Sequence, residues 1–469
     1  MSDTTLIRNG TLVLSGEMVR ADLVLRDGQI AGIVAGEVAM DLDGANHETI
    51  DATGLLVLPG AIDAHTHFWE PAGDQDKEGF AAGGAGAVAG GVTTVVEMPQ
   101  ASPTTVTAEQ FRAKVARIEA AAIADMALWG GVIGEPAQPE ADILALAEAG
   151  AAGFKSFMAS SSRSFPRVDT AQMLGAMRTI AGLGLPYGIH AEDDALVLAG
   201  IARMRAGGRT DPLAHAESRP PLVEEVAVAT ALALADETGC HVHLCHVASA
   251  RALAMASGAR WRGVRVTVET CPQYLVMDTG DLERLAGFAR CAPALRDPDE
   301  VAAIWDAVLD GTVDLIASDH CGYTVEDKAA GGKDIFAAPM GLPGVQTLLP
   351  SMFDAAVVQR GLPVPRLVEM LCANPARVFG LYPRKGAIAV GSDADLVLFD
   401  PAETWTVRDE ELHHRQRWTP LAGRTLTGRV TRTIRRGETV YDGTVAYDRR
   451  VLAAPGSGRF LARGYGVSG

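Results

Sequence analysis

Two histidines one residue apart, His65 and His67 in GAIDAHTHFWE, follow the apolar run Leu55-Leu56-Val57-Leu58 and a Pro59-Gly60 turn. In an extended chain residues i and i+2 project to the same side, so both imidazoles reach one ion from a single strand end. Imidazole is a divalent-metal ligand and an ordinary hydrogen-bonding group, and the pair alone leaves both readings open. Further ligand-type residues stand at the ends of other apolar runs: His190 in IHAED, His246 in LCHVAS and Asp319 in ASDH. Four histidines and an aspartate converging on one rim are hard to explain as packing and point to a metal centre.

Lys155 adds a sixth candidate. It lies inside the apolar stretch Gly153-Phe154-Lys155-Ser156-Phe157-Met158, where an ammonium is costly to keep charged. One reading is a salt-bridged lysine at a barrel mouth. The other is an amine that has captured carbon dioxide as a carbamate, an anion with two oxygens able to bridge two cations. Six protein ligands then suit two divalent ions about 3.5 to 4 Å apart.

Such residues need a scaffold that brings distant strand ends together. Apolar strand-like runs alternate with helix-length Ala-rich segments. The strand candidates are eight: one ending near His67, then Val92–Met98, Met126–Ile133, Gly153–Met158, Pro186–His190, His241–Val247, Val264–Thr270 and Val313–Asp319. Thr107–Ala124, Asp169–Ala181, Leu222–Ala235 and Pro298–Leu309 read as helices. Eight βα units predict a closed TIM barrel, with its chemistry at the C-terminal ends of the strands. A doubly wound sheet would want a Gly-rich phosphate loop after its first strand, and histidines stand there instead. Short alternating runs before residue 58 and again after residue 386 predict a small β-sandwich built from both chain ends. The expected organisation is therefore sandwich (1–58), barrel (59–383), sandwich (384–446) and a C-terminal tail (447–469), the last an exchanged arm or a loose end.

Composition narrows the partners. The 469 residues are 48% apolar and carry 51 glycines, with no uninterrupted apolar run of membrane-spanning length. The N-terminus MSDTTLIRNG lacks a signal pattern, and a cytoplasmic protein is expected. A net charge of -17 argues against nucleic acid. The six cysteines form no CxxC pair, so reduced, buried thiols are expected.

The stretches GAIDAHTHFWEP, EGFAAGGAGAVAGGVTTVVEMP, GFKSFM, HAED, SRPPLVEE, HLCHVAS, ETCPQYL, CAPALRD, ASDHCGY, NPA and KGAIAVGSDADLVLFD together resemble the cyclic amidohydrolases, the group of hydantoinase (dihydropyrimidinase), allantoinase and dihydroorotase. The resemblance covers nearly the whole chain. It implies that His65 and His67 hold the more buried metal with Asp319, that carboxylated Lys155 bridges, and that His190 and His246 hold the second metal. Zinc is the expected ion, and manganese, iron, cobalt or nickel suit the same ligands. His243, the rival of His246, points to the opposite side of its strand. His241 and His320 read as neighbours of the ligands, and His47, His215, His413 and His414 as surface or loop residues. The implied reaction opens a ring C–N bond to give a ureido acid, with Asp319 moving the proton from water to the leaving nitrogen. Relatives of this kind are often dimers or tetramers, so a homo-oligomer is expected.

Ring choice rests on fewer residues. Dihydroorotases usually carry HxHxREP and MPN, where this chain has Trp69 and Gln100. Without the arginine clamp, an anionic substrate loses roughly 1.5 to 3 kcal/mol per charged hydrogen bond. In the other direction, APMGLPGVQTLLP resembles a dihydroorotase stretch. Hydantoinases place a tyrosine where this chain has Ser160, and read the ring amide at an SPPLR segment whose serine is here Ala292, preceded by Cys291. Allantoinases share EGF, GFK, HAE and SRP, but commonly have Asn-Glu-Pro at Trp69-Glu70-Pro71 and AWGGI at the AAPMG containing Pro339. The indole of Trp69 offers a flat face to a larger or more apolar ring. The expected substrate is a small neutral cyclic amide or ureide, contacted by Trp69, Gln100, Ser160, Cys291, Ala292 and Pro339. A dihydroorotase-type enzyme and a non-catalytic scaffold related to dihydropyrimidinase are the alternatives.

Overall fold

A computed structural model describes residues 4–35, 47–71, 77–160 and 162–463. Its centre is a curled parallel sheet whose strands follow one another in chain order. The first seven are Ala61–His67, Val92–Glu97, Asp125–Gly131, Gly153–Phe157, Tyr187–His190, Val242–Leu244 and Val266–Thr270. The eighth comes in two pieces. Leu315–Ile316 pairs with the seventh strand and His320–Cys321 with the first, so the sheet closes into a barrel through the bend between them. Val313–Asp319, expected as one strand, is broken there because Asp319 adopts a left-handed backbone (φ 50°).

Local signals set the helices around the barrel. Thr107 and Asp169 each close a capping box with a glutamine three residues on, starting Ala108–Ala121 and Thr170–Leu183. Asp297 caps Pro298–Leu309, and a left-handed Gly239 ends Pro221–Thr238. Helix Phe80–Ala89 owes its glycines to close packing. A Cβ on Gly83 would lie 2.5 Å from the Phe68 ring, which is fully buried just beyond the first strand.

The two chain ends form one continuous mixed sheet, the form that the expected sandwich takes here. Leu56–Pro59 is its hinge, parallel to Thr11–Val13 on one side and antiparallel to Leu396–Thr406 on the other. Met18–Arg26, Thr4–Arg8 and His47–Asp51 extend it one way, with Gln29–Ala35 beside Met18–Arg26, and Thr425–Arg435 and Glu438–Asp442 extend it the other. Its own apolar cluster includes Ile7, Leu12, Leu23, Ile30, Val57 and Leu396. A buried ion cluster ties it to the barrel: Lys385 Nζ lies 2.7 Å from Asp125, 2.6 Å from Asp395 and 3.0 Å from Asp393. Removing one member of such a cluster typically costs about 3 to 5 kcal/mol. Of the arm or tail expected over 447–469, residues 447–452 run beside Glu438–Asp442 of the mixed sheet, residues 459–461 follow the barrel, and 464–469 lie outside the described residues. Leu461 is buried, and its N–H donates to Met126 in the third strand. Among the described residues no helix is long and apolar enough to cross a membrane.

Candidate active site

The C-terminal rim gathers His65, His67, His190, His246 and Asp319 around a cavity of about 310 Å³. Asp319 Oδ1 lies 3.3 Å from His65 Nε2 and 3.2 Å from His67 Nε2. His190 Nδ1 and His246 Nε2 are 3.1 Å apart, and the His65 and His246 rings are 5.1 Å apart between centroids. Lys155 points inward from the fourth strand, fully buried, with its Nζ 4.7 Å from the centre of the Phe157 ring and no nitrogen or oxygen hydrogen-bond partner among the described residues. A buried polar group without a partner is uncommon in a folded protein and marks a place where something else binds.

Buried carboxylates fix which ring nitrogen faces the rim. Glu269, at the end of the seventh strand, lies 2.7 Å from His65 Nδ1 and 3.3 Å from His243 Nε2. A carboxylate only accepts, so the His65 proton sits on Nδ1 and the Nε2 lone pair faces Asp319. Burial lowers the His65 pKa, Glu269 and Asp319 oppose it, and the neutral ring is favoured. Glu192 acts likewise on His190: its Oε2 is 2.7 Å from Nε2, leaving the Nδ1 lone pair toward His246. Burial pushes the Glu192 carboxyl up, but Arg219 and His190 hold it down at about 2. His246 is driven well below the usual histidine range by burial and by neighbouring His190 and Lys155. Its contact with His190 is therefore either one N–H···N bond or two lone pairs that need a cation between them.

Three rim residues, Trp69, His246 and Asp319, have left-handed backbones with φ of 52°, 38° and 50°. Non-glycine residues in this region cost about 1 to 3 kcal/mol each unless the surroundings impose it. Each of these turns is pinned by a carboxylate. Glu97 accepts from the N–H groups of Phe68 and Trp69 at 3.0 and 3.1 Å and from Thr66 Oγ1. Glu269 Oε1 accepts the His246 N–H at 3.0 Å. Asp63 accepts from both the N–H and the hydroxyl of Ser318, and burial raises its carboxyl to about 7 despite them.

Of the residues expected at the substrate, Trp69, Gln100, Ser160 and Ala292 line the cavity. Cys291 and Pro339 do not: their carbonyls are taken by His215 Nε2 (2.7 Å) and Lys328 Nζ (2.9 Å). Trp69 is part of a cluster, 4.9 Å from the Tyr323 ring, with Lys77 Nζ 4.8 and 4.5 Å from the two ring centres. Ser102, Ser162 and Ser164 join Ser160 on the wall, and Thr104 Oγ1 ties the two serine-bearing loops by donating to the Ser164 carbonyl at 2.9 Å. His243 faces Glu269 behind the rim, and His241 meets Thr267 at 3.0 Å. His47 is exposed, and His413 is half-buried and stacks on Tyr447 at 4.4 Å. Of His215 and His414, expected at the surface or in loops, His215 instead lies buried in helix Pro212–Ser218 against the loop after the seventh strand, and His414 is in a loop, buried against helix Phe80–Ala89.

Residues 56–440 match the amidohydrolase family. The chain belongs to that family. It is 44% identical over 459 residues to an allantoinase of Rubrobacter xylanophilus, with 97% of each chain covered. It is 34% identical to an allantoinase of Escherichia coli, covering 94% of this chain and 96% of that one. Among solved structures, the L-hydantoinase (dihydropyrimidinase) of Arthrobacter aurescens matches with a TM-score of 0.92 at 34% identity, over 99% of this chain and 100% of the other. Membership implies a divalent metal centre. Among the described residues, two buried groups have ligand atoms close enough to share an ion, His65–His67–Asp319 and His65–Cys245–Glu269. In the second, both Glu269 oxygens already hold hydrogen bonds, which favours the first.

Proposed function

We propose that this chain hydrolyses a neutral cyclic ureide bearing a polar arm, a substrate of the allantoin type. The carrying observation is the cavity wall, where Ser102, Ser160, Ser162, Ser164 and Gln100 stand on the same cavity as the histidine rim. Hydroxyl and amide groups complement a ureido arm, whereas an alkyl or aromatic substituent would leave them desolvated and unpaired. The allantoinase names of the relatives above agree with this choice. Dihydroorotate is disfavoured. Arg219, a buried guanidinium reaching the cavity, already has its charge countered by Glu192 at 3.4 Å, and Trp69 and Gln100 carry no charge to pair with a carboxylate.

The donor set fits two divalent ions. His65 Nε2, His67 Nε2 and Asp319 would hold one, His190 Nδ1 and His246 Nε2 the other, and Lys155, joined through Nζ to carbon dioxide with loss of a proton, would lie between them. The unpartnered Lys155 Nζ is the feature this assignment explains. When bound, the ions supply a water acidic enough to ionise near neutral pH and a Lewis acid for the ring carbonyl. Asp319, buried but on the cavity, would take a proton from the attacking water and return it to the leaving ring nitrogen. Water adds across the C–N bond, so the products are a carboxylate, the freed amide N–H and one proton released. Glu269 and Glu192 hold the His65 and His190 tautomers throughout.

The test is a panel of allantoin, 5-methyl- and 5-benzylhydantoin, dihydrouracil and dihydroorotate under one metal loading. The expected result is kcat/KM highest for allantoin by at least about tenfold. A preference for 5-benzylhydantoin or dihydroorotate contradicts the reading.

A further inference from the structure

Two loops complete the cavity wall, one carrying Ala292 after the seventh strand and one carrying Met340 after the eighth. Behind them lies Lys328, on the short helix Val325–Ala329 and fully buried. Its Nζ donates to the carbonyls of Arg290 and Pro339 at 2.9 Å and of Gly341 at 2.8 Å, which uses all three ammonium protons. Two more buried basic side chains act on the same loops. Arg290 donates to the Ala338 carbonyl, and His215 Nε2 to that of Cys291 at 2.7 Å. Arg290 Nε also reaches His215 Nδ1 at 3.5 Å, and the Gly341 N–H closes onto the Arg290 carbonyl at 3.0 Å. The carbonyls of residues 290, 291, 338, 339 and 341 are thus all engaged. The backbone groups of Ala292 and Met340, the two loop residues on the cavity, make no hydrogen bond among the described residues.

We propose that Lys328 is a positioning residue for substrate binding, a staple that holds these two loops in register so that the unpaired main chain of Ala292 and Met340 stands ready for the ring amide. This inference rests on the cyclic-ureide reading. The chemistry is complementary: a ring –CO–NH– edge presents one acceptor beside one donor, and a peptide edge presents the same pair. Lys328 binds to carbonyls on both loops at once, whereas the nearest strand bond, from the Cys321 N–H to the Leu342 carbonyl at 2.9 Å, holds only the far end of the second loop. A loosened staple leaves His65, His67, Lys155, His190 and His246, which hang from the first, fourth, fifth and sixth strands, in place, and Asp319 stays fixed through the bonds of its neighbour Ser318 to Asp63. The effect is therefore on ring binding.

The test compares wild type with Lys328→Met, which removes the donors at similar length, and with the gentler Lys328→Gln, which keeps two N–H groups and is read in the same way if the methionine variant does not fold. The expected result is a KM for allantoin raised at least about tenfold, kcat within about threefold of wild type, and unchanged metal bound per chain. An unchanged KM overturns the proposal, as does a parallel loss of kcat and metal, which marks a general structural role. If the wild type turns over no cyclic ureide, the functional reading fails by itself, and the staple is read by amide hydrogen exchange over residues 290–292 and 338–341. Faster exchange in Lys328→Gln supports it, and identical exchange overturns it.

Discussion

Glu269→Gln is the most informative single change at the rim, because one carboxylate joins the first, sixth and seventh strands. Its acceptors face His65 Nδ1 at 2.7 Å, the His246 N–H at 3.0 Å and His243 Nε2 at 3.3 Å. Glutamine is nearly isosteric and can keep its oxygen toward His65 and His246. Its amide nitrogen then opposes His243, which relieves the clash by moving its proton to Nδ1, where Thr267 Oγ1 at 2.8 Å accepts it. The fold should survive, and what is lost is charge. Hydrogen bonds to a charged partner contribute roughly 1.5 to 3 kcal/mol against about 0.5 to 1.5 for neutral ones. Counting the two short bonds, the difference is about 2 kcal/mol. Felt wholly in the metal-bound state, that is about thirtyfold in affinity, within the 10- to 100-fold range for carboxylates behind metal-bound histidines. Competition against a chromogenic chelator measures the affinity, and a melt of the metal-free protein checks the fold. Affinity within a factor of two of wild type, in a folded variant, refutes the orienting role of Glu269.

Lys155→Ala should reduce bound metal from two ions to at most one per chain and abolish hydrolysis; two ions retained by elemental analysis contradict the bridging role. Replacing both Ser160 and Ser162 by alanine should lower kcat/KM for allantoin about tenfold while leaving 5-methylhydantoin within about twofold, and equal losses on both substrates count against the polar-arm reading. The acid limb of stability should follow Glu192. Its carboxyl is held at about 2, below the ordinary 4.5 of the unfolded chain, so its contribution is full above pH 4.5 and is lost as pH falls toward 2. Glu192→Gln should therefore flatten the decline in melting temperature over that window, and parallel curves for variant and wild type exclude the effect.

The ligand-type residues were legible in the sequence because each ends an apolar run, and a barrel turns strand ends into neighbours. His65, His67, His190, His246 and Asp319 do meet at one rim, and Lys155 points to the same interior. The residues that orient them were not legible. Glu269 in Val266–Thr270 and Glu97 in Val92–Glu97 look like ordinary polar members of strands, and only the pairing of His65 with a group 204 positions away reveals the first. A carboxylate at the end of a barrel strand, flanked by other strands ending in histidine, was the available signal. Lys328 sits in VEDKAAGG, which reads as exposed and polar, and its burial depends on loops far away in the chain. His215 was misplaced for the same reason, and the burial of His414 within its loop was hidden likewise, since burial of a polar residue in a short helix or loop is decided by what packs onto it. The break in the eighth strand was likewise hidden. Ala317-Ser318-Asp319 continues an apolar run, and the bend comes from Asp63 holding Ser318.

On the reading proposed above, this rim holds two ions and needs both for ring opening. That reading is tested most directly by titrating metal-free protein with zinc in bicarbonate buffer while following allantoin hydrolysis. The predicted curve rises to its plateau at two equivalents per chain, and bicarbonate is required for the second. A plateau at one equivalent, or hydrolysis by the metal-free chain, contradicts the account.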